Sequence, residues 1–68
     1  MEKNTLDRLK GKYCKIVIKE PGKQKSTVIN GFLKEIDYDK NFLVVESEEG
    51  TGLISIESLV AIKPCKKT

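Results

Sequence analysis

The sequence predicts an all-β fold: a short N-terminal α-helix followed by a five-stranded, strongly bent antiparallel sheet that closes into a small barrel. Three observations carry this expectation. At 68 residues the chain has room for one domain, spanning 1–68. With 6% aromatics and no Trp, its core must be built from aliphatic residues, and the abundant Ile and Val favour strands. Finally, clusters of Gly, Pro, Asn, Asp and Ser divide the apolar stretches into short segments joined by short loops.

The elements follow in order. Residues 4–10 read as a helix of one or two turns, with Asn4 or Thr5 as its cap, Leu6 and Leu9 as an apolar stripe, and Gly11 as its end. Residues 13–20 alternate, with Cys14, Ile16 and Ile18 facing one way and Lys15 and Lys19 the other, as in a half-buried strand. Pro21-Gly22 begins a polar loop. Residues 27–36 form the second strand, interrupted by Asn30-Gly31. That dipeptide suits a two-residue hairpin, but the strand after it would then need a separate partner. A bend or bulge within one long strand is the better reading, and small barrels need one to close. After a polar turn at 37–41, residues 42–46 give the third strand, and residues 48–52 a loop. Residues 53–56 and 59–62 give two short strands, Pro64 ends the barrel, and residues 65–68 are expected to fray. Five short antiparallel strands of this kind suit a barrel of the SH3 or OB type.

Charge is unevenly spread. Eight basic groups in residues 1–25 face only Glu2, Asp7 and Glu20, whereas residues 26–62 hold Lys34 and Lys40 against seven carboxylates. The asymmetry hints at one basic surface that would meet an anionic partner and one acidic surface; the alternative is ordinary solvated charge. The chain has no His, which excludes a His-based metal site or general base, and Cys14 with Cys65 is too little for a zinc site. No cofactor and no metal are expected. The sequence has no phosphate-binding Gly loop and no Ser or Cys beside a base, so it does not read as an enzyme. Nothing approaches the ~20 apolar residues of a membrane span, and no signal-peptide pattern opens the chain; a cytoplasmic protein with no membrane partner is expected.

The last two strands, Leu53-Ile54-Ser55-Ile56 and Leu59-Val60-Ala61-Ile62, are apolar on both faces. A chain this short cannot cover both sides of them, and a bare apolar edge invites uncontrolled pairing. Pairing that edge head-to-tail with another copy satisfies it, and a ring results if the rotation closes.

Gly31, Leu33, Ile36, Asp37, Asn41, Phe42 and Val44 are spaced as in the first signature motif of the Sm-like family, which this chain resembles along nearly its whole length. The second motif is matched in length by residues 50–64, but Ser55 stands at the family's Arg position and Ile56 at its Gly position. The resemblance implies the Sm fold, an N-terminal helix capping a bent five-stranded SH3-like barrel, and a homo-oligomeric ring of about six or seven copies. It also implies single-stranded, uridine-rich RNA held at the inner rim. The RNA-binding positions carried over are Asn41 for the base edge and Asp39 and Ser55 for the sandwich, in the turn shaped by Asp37. Asn41 alone keeps its chemistry, because Asp39 has no ring face and Ser55 lacks the guanidinium plane. Tyr38 stands beside them as an alternative stacking ring or as a packing residue. Arg8, Lys10 and Lys12 form a possible basic RNA face on the helix side. The resemblance makes the first and last strands neighbours, which leaves a Cys14–Cys65 disulfide open.

The function expected is therefore a ring-forming Sm-like RNA-binding protein with altered or weakened uridine recognition. The alternatives are an Sm-fold scaffold that binds protein, or a monomeric SH3-like barrel that binds DNA through Lys15, Lys19, Lys23 and Lys25.

Overall fold

A computed structural model describes residues 3–66, with side chains from Leu6 onward. Helix α1 (Lys3–Leu9) precedes strands β1 (Tyr13–Ile18), β2 (Thr27–Asp37), β3 (Phe42–Ser47), β4 (Gly50–Ser55) and β5 (Leu59–Pro64), with a 3₁₀ turn, Ile56–Ser58, between the last two. The strands form one sheet in the order β4-β3-β2-β1-β5, and every pairing is antiparallel.

Strand β2 is the structural axis. Its first half, from Thr27 to Phe32, pairs with β1, and its second half, from Phe32 to Asp37, pairs with β3. Asn30-Gly31 is accordingly no hairpin but the interior of one long strand. Gly31 is buried, and a Cβ there would stand 2.7 Å from the Glu46 carbonyl oxygen and 2.8 Å from a Val45 methyl. Absence of a side chain is what lets β3 approach. The bulge itself falls three residues later, where Lys34 is the extra residue between the Leu33–Val45 and Glu35–Val44 pairs.

The core collects one face of every strand. Leu6, Leu9, Cys14, Ile16, Leu33, Leu43, Val45, Ile54 and Ile62 are buried together, and the two leucines show that α1 covers one end of the sheet. The linker after α1 is tied down at Leu33, whose carbonyl accepts from the Gly11 N–H at 2.6 Å and whose N–H donates to the Lys12 carbonyl at 3.1 Å. Gly11, with φ of 85°, takes the left-handed turn this linker requires. Cys14 lies beneath it, its thiol donating to the Lys12 carbonyl at 3.3 Å. Burial first, and the nearby Cys65 second, push the Cys14 thiol above its ordinary pKa against the pull of Lys12. Strands β1 and β5 are neighbours as expected, yet both cysteines are free thiols.

Several boundaries differ from expectation. Helix α1 starts at Lys3, so Asn4 and Thr5 lie inside it, and their side chains fall outside those described. Strand β1 stops at Ile18, where its register with β5 shifts. Gly50-Thr51-Gly52, expected as loop, is strand, paired with Ser47, Glu46 and Val45. The β3–β4 connection needs only Glu48-Glu49, because Gly50 absorbs the positive φ of 125° that closes it. Cys65 remains attached through its N–H to the Tyr13 carbonyl at 2.9 Å, while Lys67 and Thr68 of the tail expected to fray lie outside the described residues.

The sheet is open. Among the described residues β4 pairs only with β3 and β5 only with β1, so no ladder closes a barrel. Leu53 on β4 is 69% exposed and Val60 on β5 is 56% exposed. No helix among the described residues is long and apolar enough to cross a membrane.

Replacing Gly31 with Ala forces a methyl against the β3 backbone and is expected to cost about 1–3 kcal/mol. At fixed protein concentration, the urea midpoint should fall while the slope of the transition stays unchanged.

Candidate functional site

The β2–β3 turn brings most of the expected site residues together. Asp37, the last residue of β2, accepts the Lys40 N–H on Oδ1 at 2.9 Å, the local bond by which an aspartate shapes a turn. Asn41 closes that turn with φ of 64°, a left-handed conformation that Asn tolerates far better than most residues. Its carbonyl accepts the Ile56 N–H at 3.0 Å, and its neighbour Phe42 stands opposite Ser55 in the β3–β4 ladder. Segments far apart in sequence, the turn at 37–41 and the end of β4, thus meet at one corner of the sheet.

The two sandwich positions differ in their surroundings. Asp39 is exposed at the tip of the turn. Ser55 is exposed too, but its Oγ accepts the Glu57 N–H at 3.3 Å and so caps the 3₁₀ turn. A depression of about 560 Å³ at Asp39 is lined also by Glu35, Ile36, Asp37, Tyr38, Phe42 and Val44, whereas Ser55 lines a different cleft. Three carboxylates on its rim make it a poor seat for phosphate. Among the described residues no group of three or more potential metal ligands is present.

Tyr38 takes the packing role. Its hydroxyl donates to Asp7 Oδ1 at 2.9 Å, and its ring lies against the core cluster. The turn is thereby fastened to α1 across 31 positions of sequence. No local pattern announces this contact, because neither residue type is distinctive at that separation. Partial burial, then the hydrogen bond to Asp7 and the carboxylate's charge, raise the Tyr38 phenol above its ordinary 10.0.

The basic residues on the helix side, Arg8, Lys10 and Lys12, are all exposed. Lys10 is partly engaged, its Nζ lying 3.4 Å from Glu35 Oε2, an exposed pair of small energetic weight. The Asp7–Tyr38 and Lys10–Glu35 contacts place this basic segment beside the β2–β3 turn rather than on a remote surface.

In comparisons with known proteins, no family model, no curated protein and no solved structure matches this chain.

A phenol with a raised pKa adds stability that is complete below its unfolded value and disappears as pH rises through the folded value. The Tyr38–Asp7 link is therefore expected to persist below pH 10 and to break above it, as phenolate forms beside the carboxylate. In ultraviolet titration, Tyr38→Phe should remove a tyrosine ionisation lying above pH 10. Loss of only an ordinary ionisation at or below that pH would overturn the assignment.

Proposed function

We propose that this chain is a ring-forming, Sm-like binding module for single-stranded RNA, built on the Sm-type SH3-like barrel, with base recognition reduced largely to Asn41. The observation that carries the reading is the meeting of two separate segments. The turn ending in Asn41 is bonded to Ile56, next to Ser55, so the positions resembling the family's base-binding set occupy one corner. Asn41 offers a donor and an acceptor on one amide, which is what reading the edge of a base requires. Its turn is pinned on three sides, by Asp37, by Ile56 and, through Tyr38, by α1, so the backbone that carries the amide is held before a ligand arrives.

The open edges support the ring. Strands β4 and β5 each have an unpaired side, and Leu53 and Val60 stand exposed on them. A cleft of about 610 Å³, lined in part by Ile18, Ile29, Leu53 and Ile54, lies where the sheet fails to close. A neighbouring copy that paired β5 with β4 would satisfy both edges and cover this apolar surface. About six or seven copies would complete the circle. The module binds rather than catalyses in this reading.

A second reading, a ring of the same fold that binds protein, is favoured by Ser55, whose hydroxyl is committed to capping the 3₁₀ turn, and by the acidic rim around Asp39.

Sedimentation should give a mass about six or seven times that of the chain. A well-folded monomer at high concentration would remove the ring and the rim site with it. For the RNA, Asn41→Gly is the informative change, because it deletes the amide while keeping the positive φ that Ala would strain. It is expected to weaken oligo-uridine binding about tenfold, as a lost base-edge pair of ~1–3 kcal/mol implies, and to abolish preference over oligo-adenosine. Equal affinities for the two RNAs in the unaltered protein would favour the protein-binding ring.

A further inference from the structure

The side of the sheet facing away from the core carries a feature that the RNA reading does not use. Cys14 and Ile16 point into the core, so Tyr13 and Lys15 point outward, and their direct partners share that face. Tyr13 stands opposite Phe32, which in turn stands opposite Glu46. The two rings meet edge to face, with centroids 5.1 Å apart and planes at 69°. Together with Glu46, Ser47 and Glu48 they line a pocket of about 90 Å³.

From this arrangement we infer that the pocket binds the guanidinium group of an arginine presented by a basic peptide segment of a partner protein. Size is the first argument. At about 90 Å³ the pocket is far smaller than the neighbouring trough of about 500 Å³, a size for one side-chain head rather than an extended chain. Charge is the second. Glu46 and Glu48 form no ion pair among the described residues, and they stand beside two aromatic rings whose faces attract cations. A planar guanidinium satisfies both, stacking on a ring while its fork of N–H groups donates to a carboxylate. The Ser47 hydroxyl is already engaged with Gly50 and Glu49, so the carboxylates are left as the acceptors.

The surroundings extend the argument from one side chain to a peptide. A larger trough of about 500 Å³ shares Tyr13, Ser47 and Glu48 with the pocket and continues past Val28 and Asn30 to Glu49. Val28 is 51% exposed there, an apolar strip for the residues flanking the arginine. On the other side, Lys15 and Lys63 face each other across β1 and β5, and their repulsion steers a basic segment toward the glutamates. The same carboxylates repel phosphate, which separates this surface from any RNA-binding one.

The test is a titration of the full chain with a short arginine-containing peptide, followed through the ring signals of Tyr13 and Phe32 by NMR. The same peptide with citrulline in place of arginine keeps the shape and removes the charge, and it should not bind. The double change Glu46→Gln and Glu48→Gln is expected to weaken binding at least about tenfold, as loss of both charge-assisted acceptors implies. Tyr13→Leu should weaken it as well, whereas Glu57→Gln, an exposed acid on the 3₁₀ turn, should leave it unchanged. Unshifted methyl signals of Leu33 and Leu43 would establish that the variants remain folded. Equal binding of the citrulline peptide, or equal weakening by Glu57→Gln, would overturn the inference. Binding of the arginine peptide that leaves the two rings unperturbed would overturn it too.

Discussion

Strand β2 belongs to both halves of the sheet at once, and everything else in the molecule is arranged around that fact. Its eleven residues pair with β1 at the start and β3 at the end, with Phe32 bonded to both neighbours. The exchange requires close backbone approach at Gly31, where a side chain would collide with the β3 carbonyl of Glu46. Two residues on, Leu33 is fully buried, and its backbone groups hold the linker from α1. The helix can cover the core only because its exit is fixed there. One small residue and one large one, two positions apart, thus set the approach of β3 and the seat of the helix.

The candidate site grows from the far end of the same strand. Asp37 is the last residue of β2, and its carboxylate shapes the turn that delivers Asn41 to the corner shared with Ser55 and Ile56. Tyr38, next in the chain, ties that turn back to α1 through Asp7. Burial of the ring and placement of Asn41 are therefore coupled, so the turn is stiffened by contacts on opposite sides.

Charge and apolar surface are partitioned along the fold. Carboxylates gather around the β2–β3 turn and the β3–β4 connection, lysines along β1 and the helix side, and exposed aliphatic residues on the two edge strands. Each region is suited to a different kind of contact: apolar edges to another strand, an amide to a base edge, carboxylates beside rings to a cation. The cleft assigned to the proposed ring contact and the trough beside the proposed arginine pocket adjoin each other, sharing Ile29, Ser47 and Glu49.

Much of this was legible in the residues. Alternation predicted which side chains of β1 are buried, because strand periodicity is a property of the local backbone. Asp37 as the turn-former was legible for the same reason, since its bond closes within three residues. That Gly31 lies inside one long strand was readable, because a hairpin there would have stranded the apolar residues that follow it, although the bulge falls at Lys34. The start of β4 was not readable, for Gly50-Thr51-Gly52 has little intrinsic preference for a strand and is held extended by its ladder to β3. Nor were the Tyr38–Asp7 bond, the left-handed backbone of Asn41, or the grouping of Tyr13, Phe32, Glu46 and Glu48. The sequence by itself determined the elements and their buried faces, because periodicity and turn chemistry act over a few residues. Tertiary structure alone decided which distant side chains meet, because that depends on strand register, and a register is chosen by the whole sheet at once.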